Sequence, residues 1–418
     1  MALFLMPFVR ADVDLHALAE EIRVFSTQIE DSKIATMLEV NADKLVAQST
    51  SLIQQIKIIN NVLQELKGNK SALKLTVDCI SARLYLEEKP HEMLKQKARD
   101  YFSKKFPGAE IDFSDKTDGR QLGDRVHIAQ LGYSEIIYHI KTHSRGLCAE
   151  LDSWDSKEAE PVRLEELFVY KVLQYLGLGP EVHFFGYNAK DCYIATIDIG
   201  CIAPIDIGCT ESGKIGTAPI DIGCTENGKI GTYTYEDVKS TPQLLGTSYL
   251  GFDSSQESFV KQEVVQGLVL IDIISRIFGL EDLITNSGNF YFTYNIPGHI
   301  SGFKIIDFHI SRHGATRASA LFDGFLMGSG PYSYLGFSDE ISRYFLVRRD
   351  KSARIEAARS FFLPLVEVFT EAIEQSFEDM RTLQEEMPTL DMKSFEKYHQ
   401  SVVTNVNVLA QALRTSSR

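Results

Sequence analysis

The periodicity of this chain changes near Pro107, and that change restricts it to a mixed architecture. From about Asp12 to Lys105, apolar residues recur at three- and four-residue steps. Leu15, Leu18, Ile22 and Phe25 form one such series, and Leu52, Ile56, Ile59, Val62 and Leu66 another. That spacing gathers them on one helical face. Gly68 and Asn69 punctuate the stretch, and within it no proline occurs before Pro90. Three or four helices are therefore expected, some long enough to pair as a hairpin or a short coiled coil. Such a unit either packs on the rest of the chain or binds a partner through its helices.

After Pro107 the pattern becomes short runs of β-branched and aromatic residues. Arg125–Ala129 and Ile136–Lys141 read as strands, and Leu164–Leu176 as a helix ended by Gly177 and Pro180. Val182–Phe185 and Cys192–Thr196 follow as two more strands. Helical periodicity resumes over Ser255–Ile277 and Leu280–Asn289. A hairpin of Phe290–Thr293 with Phe303–Phe308 comes next, then helices over Ala353–Met380 and Phe395–Leu413. The expected class is α+β, and 418 residues allow two or three domains.

Between the two halves lies a repeat. Ala203–Thr217 and Ala218–Thr232 are the same fifteen-residue unit except at Ser212 and Asn227. A partial copy, Thr196–Cys201, precedes them. Asn227-Gly228 is a tight-turn signal, so each unit predicts a strand–turn–strand excursion duplicated in a tolerant surface loop. Three of the six cysteines, Cys201, Cys209 and Cys224, recur only because the unit recurs. With Cys79, Cys148 and Cys192 they form no CxxC pair, so structural zinc is not expected and reduced thiols are.

Fifty-seven acidic side chains against 43 basic ones give a formal charge of -14. A chain of that balance is not expected to bind nucleic acid or an anionic membrane surface. The apolar start lacks a basic lead and a small-residue cleavage site, so it is not expected to be a signal peptide. The longest apolar run, Val264–Leu280, carries Asp272 and Arg276, which predicts a buried helix rather than a membrane span. The expectation is a cytoplasmic protein with no transmembrane segment.

Several charged or amide residues stand where chemistry would need them. Lys141 closes an apolar strand, and Glu166, with Glu165 beside it, opens the following helix. Asp282 and Asn289 follow the long apolar helix, with Glu281 and Asn286 as neighbouring alternatives. Asp307 follows Lys304-Ile305-Ile306 directly. A carboxylate at the end of a short strand suits a hard cation that also takes phosphate oxygens. Each residue also has an ordinary role open to it: a solvated lysine, a first-turn acid, a turn-forming Asn or Asp. HExxH, GxSxG and GxxxxGK[ST] are all absent, which counts against a zinc protease, an α/β-hydrolase and a P-loop NTPase.

A strand lysine, a helix glutamate, a loop Asp/Asn pair and a strand-end aspartate, in that order, resemble the protein-kinase-like superfamily. The likeness is to its atypical members: phosphatidylinositol kinases, HipA-like kinases and aminoglycoside phosphotransferases. It spans about Asp118 to Phe369, roughly 60% of the chain. It implies a bilobal fold with a small β-rich lobe and a helical lobe. The expected boundaries are 1–110 for an N-terminal helical or coiled domain and 111–200 for the small lobe. The repeat near the hinge takes 201–234, and the large lobe with its C-terminal helices takes 235–418. The resemblance implies ATP and Mg²⁺, with Lys141 and Glu166 holding phosphates and Asn289 and Asp307 the metal. Asp282 would orient a hydroxyl on a protein, lipid or small-molecule acceptor. Gly119, Gly123 and Gly132 flank the strands where a phosphate-covering loop would lie, without forming GxGxxG. Asp282 stands seven residues before Asn289 where the family spacing is about five, and His309 replaces a usual glycine. Those departures keep two alternatives open: a catalytically inactive pseudokinase, and a helical interaction scaffold.

Overall fold

A computed structural model describes residues 13–116, 119–151, 157–186, 192–198, 231–234, 262–281, 283, 289–296, 299–311, 315, 351–388 and 390–415. The first unit contains helices α1 (Leu15–Ser26), α2 (Ser32–Val46), α3 (Leu52–Leu66) and α4 (Leu73–Lys105). Their starts are set locally. Asp14 and Asp31 accept backbone N–H groups of the first turns of α1 and α2, and Ser51 forms a capping box with Gln54. The two apolar stripes read from the sequence meet in one core, where Leu18, Ile22, Ile56, Ile59 and Val62 are buried with Leu38 and Leu45 of α2 and Leu75 of α4.

Pro90 does not stop α4, which runs through it for 33 residues. Proline cannot donate to the carbonyl four residues back, so one rung of the helix is lost there. Burial on both sides of that point offsets the loss. Before it, Leu75, Cys79, Ala82 and Leu86 belong to the helical core. Beyond it, Leu94, Ala98 and Phe102 pack beneath a β-sheet. α4 ends at Lys105, before the expected boundary near residue 110, and its last third lies in the core of the sheet.

That sheet has the order β1-β2-β3-β5-β4, antiparallel throughout. Its strands are β1 (Glu110–Asp115), β2 (Gly123–Ala129), β3 (Ile136–Thr142), β4 (Val182–Phe185) and β5 (Tyr193–Ile197). β1 has no counterpart among the expected strands. Its sequence EIDFSD is charged and mostly exposed, as suits an edge. Between β3 and β4 runs α5 (Leu164–Tyr175), which packs mainly on the C-terminal helices rather than on the sheet.

The helical part contains α6 (Gln262–Phe278), α7 (Lys351–Phe361), α8 (Val366–Glu386) and α9 (Met392–Thr415). A second antiparallel sheet, β6-β7-β8, joins Gly231–Thr234 to the hairpin Phe290–Ile296 and His299–Ile305. β6 begins inside the second copy of the repeat. The remainder of that repeat, most of the expected helix Leu280–Asn289 and the start of the expected C-terminal helical stretch lie outside the described residues. One apolar core unites α5, α6, β7, β8, α7, α8 and α9. The class is α+β. Among the described residues no helix is long and apolar enough to cross a membrane.

A polar cluster fastens the C-terminal end of α4 to β4. Glu181 Oε1 lies 2.6 Å from His183 Nε2, 3.0 Å from Lys105 Nζ and 3.4 Å from Tyr138 Oη. Hydrogen bonding to His183, helped by Lys105 and opposed by burial, lowers the Glu181 carboxyl from 4.5 to about 2. Because the folded value is the lower one, this stabilisation is complete above pH 4.5 and is lost as pH falls toward 2. Glu181→Gln is expected to cost about 2 kcal/mol at pH 7, the scale of a hydrogen bond to a charged group. Urea midpoints should show that difference shrinking between pH 5 and pH 2, and a pH-independent difference would contradict it.

Candidate functional site

The site lies where β3 meets the segment that follows β8. In β3, Tyr138, Ile140 and Thr142 are buried by alternation and the intervening residues are only half covered. Lys141 stands opposite Gly123 of β2 and Ile194 of β5. Its ammonium lies 2.5 Å from Asp307 Oδ1 and 5.6 Å from the centre of the Tyr170 ring. Burial opposes the charge on Lys141, but the ion pair with Asp307 outweighs it and holds the ammonium above its ordinary value.

Three donors converge on Asp307 Oδ1: Lys141 Nζ, the Phe308 N–H at 2.9 Å and the Tyr170 hydroxyl at 3.3 Å. The second oxygen receives no hydrogen bond from the described residues, and the side chain is 41% exposed. Burial would raise this carboxyl. The charge and bond of Lys141, the Phe308 N–H and the charge of Lys116 together bring it below its ordinary value. Asp307 is thus an anion with one oxygen fixed and one open.

Tyr170 follows Glu166 by one turn of α5 and is 2% exposed. Its ring packs on Phe308 at 4.4 Å between centroids. Burial pushes the phenol above its ordinary value, so the hydroxyl keeps its proton and donates to Asp307.

Glu166 sits in the first turn of α5 and is buried. Both carboxylate oxygens accept the Ser144 N–H at 3.0 Å, and Oε2 also accepts the Ser144 hydroxyl at 2.6 Å. The hydrogen-bonding partner of Glu166 is therefore Ser144, while Lys141 pairs with Asp307. Its neighbour Glu165 lies 3.5 Å from Arg163 Nε.

Asn289 is buried beside the aspartate. Its carbonyl accepts the N–H groups of Ile306 at 2.9 Å and Asp307 at 3.3 Å. Asp282 and Asn286 lie outside the described residues. Glu281, the described neighbour of Asp282, donates its N–H to the His309 carbonyl at 2.8 Å, and Leu280 bridges Ile310. The chain just before Asp282 is therefore tied to the chain just after Asp307.

Among the described residues no three His, Cys, Asp or Glu side chains group as a metal cage. The open oxygen of Asp307 and the adjacent Asn289 suit a cation of another kind. Mg²⁺ commonly takes one or two protein oxygens and fills its octahedron with phosphate oxygens and water. Sequence reading missed Tyr170 and Ser144. The first carried a signal, since it stands four residues after Glu166 on the same helical face.

No protein-family model and no curated protein sequence matches this chain. The described elements define an α+β protein in which a strand-borne lysine meets a strand-end aspartate.

Proposed function

We propose that this chain is a kinase-like phosphotransferase of bilobal build, taking ATP with Mg²⁺ in the cleft between the five-stranded sheet and the helical part. The observation that carries the reading is the 2.5 Å contact between Lys141 and Asp307, residues 166 positions apart in sequence. A buried cation and a half-open carboxylate converging from two parts of the fold are what a phosphate–metal complex requires.

In this reading Lys141 would hold phosphate oxygens, and Asp307 with Asn289 beside it would hold the metal. Bound Mg²⁺ supplies the charge neutralisation that transfer of a phosphoryl group demands. Tyr170 keeps the Asp307 carboxylate oriented throughout. Asp282 orients the acceptor hydroxyl, which belongs to a protein, a lipid or a small molecule. The N-terminal helices offer a surface for a partner.

A second reading, nucleotide binding without turnover, is favoured by Glu166, whose carboxylate is held by Ser144 and not by Lys141. A thermal melt tests both against a passive helical scaffold. A ligand at about 100 times its dissociation constant stabilises the folded chain by about 2.7 kcal/mol. Mg²⁺–ATP is expected to raise the melting temperature of the wild type, and Lys141→Ala and Asp307→Asn are expected to lose most of that rise. No rise at millimolar nucleotide would leave the scaffold reading. A rise without ADP formation in the presence of candidate acceptors would favour the pseudokinase.

A further inference from the structure

A cavity of about 350 Å³ lies where the N-terminal helices meet the five-stranded sheet. Its position follows from how α4 is shared. The helical core ends on α4 at Leu86, and the core beneath the sheet begins at Leu94. Pro90 and Met93 stand in the interval, and both line the cavity. Leu52 of α3 closes it on the helical side, and Leu147 and Tyr193 close it on the side of the sheet. Small-molecule sites start at about 300 Å³ and are mostly apolar with a few polar groups, and this cavity meets both conditions.

The charge on its walls is one-sided. Among the described residues that line it, Lys89 is the only charged side chain. Lys89 is exposed, which puts it at the mouth, and its ammonium lies 5.8 Å from the centre of the Tyr85 ring in the same wall. The acids nearest to it on α4 are Glu87, Glu88 and Glu92, and none of them lines the cavity. Glu87 lies 3.3 Å from Arg83 Nε, and Glu92 lies 3.8 Å from Lys95 Nζ. The amide in the wall, Gln55, is neutral and donates to the Leu45 carbonyl at 3.4 Å. An apolar chamber with one cation at its mouth matches a molecule with an apolar body and one anionic end.

We propose that this cavity binds a small amphipathic carboxylate, with its apolar body among Leu52, Leu86, Leu147 and Tyr193 and its carboxylate on Lys89. The proposal stands apart from the nucleotide reading, since Lys141, Glu166, Asn289 and Asp307 are not in the lining. The chain carries a formal charge of -14, so its overall field favours a cationic ligand. A preference for the anion therefore requires a local cause, and Lys89 supplies it.

Octanoate, octylamine and octanol have the same chain length and differ in head group, so calorimetric titration of the full chain with each tests the proposal. Octanoate is expected to bind about fivefold tighter than octylamine at low salt, because an exposed lysine attracts one head group and repels the other. Lys89→Gln should remove that preference, and Lys89→Arg should keep it. Met93 is 48% exposed, so Met93→Trp can fill the mouth without disturbing either core. It is expected to weaken all three ligands about tenfold or more and to abolish the rise in melting temperature that octanoate gives the wild type. A wild type that binds octanoate no better than octylamine, or binds neither, overturns the proposal. A Lys89→Gln protein that keeps the wild-type preference overturns it, as does octanoate binding that Met93→Trp leaves unchanged.

Discussion

Asp272→Ala is expected to destabilise the chain by about 3–5 kcal/mol, because it removes a buried carboxylate from a buried guanidinium. Asp272 Oδ1 and Arg276 Nε lie 3.1 Å apart, one turn from each other on α6, with side chains 10% and 4% exposed. The helix around them, Leu270 to Phe278, is otherwise apolar apart from Ser275, and its apolar residues lie in the large core. Alone, either charge would be costly there, whereas the pair is tolerated. Asp272→Leu combined with Arg276→Met should therefore recover most of the loss. Guanidinium denaturation of the single and double variants measures the difference, and a single variant costing under about 1 kcal/mol would mean that Arg276 finds compensation elsewhere.

Phe168→Ala carries the other large expected effect, again about 3–5 kcal/mol, from lost burial plus the cavity left behind. Phe168 has no exposed surface, and its ring lies 5.4 Å from Phe395, 5.8 Å from His399, 6.2 Å from Tyr398 and 6.4 Å from Phe278. It is the point at which α5 locks to α6 and α9. Two residues before it stands Glu166 and two after it Tyr170. The same substitution should thus weaken nucleotide binding more than its distance from Asp307 suggests. Phe168→Leu, which refills much of the space, should cost less than half as much. Equal costs for Leu and Ala would show that ring contacts rather than volume hold α5 in place.

The elements that were legible in the sequence are those whose pattern is local. The stripes of α1 and α3 and the β-branched and aromatic runs of β2, β3 and β4 required only a local pattern, and the structure has them within a few residues. β1 was missed because EIDFSD has the polarity of a loop, and edge strands need no apolar face on both sides. β6 falls at the end of the second repeat, where a strand was expected after the Asn227-Gly228 turn, but its pairing with β7 has no local signal. The helical pattern was read through Pro90 to Lys105, and the burial that offsets the local penalty of the proline is tertiary.

The candidate site divides along the same line. Lys141 and Asp307 each stood out as a charge closing an apolar strand, but nothing local says that they meet. That Glu166 goes to Ser144 depends on how residues 142 to 147 fold back, with the Thr142 hydroxyl on the Leu147 carbonyl and the Gly146 N–H on the His143 carbonyl. Polar loops of this kind carry no periodicity to read.

The path of α4 sets how this protein can be divided. At 1.5 Å per residue its 33 residues span about 50 Å, and its two ends are buried in different cores. A fragment starting at residue 110 would leave the underside of the sheet bare where Leu94, Ala98 and Phe102 had been, and it would also lose Lys105 from Glu181. The smallest piece that keeps the sheet's underside covered therefore begins near Pro90. The N-terminal helices, in turn, are not a bead on a string: whatever pulls or docks on them acts through a single rigid rod on the sheet that bears Lys141.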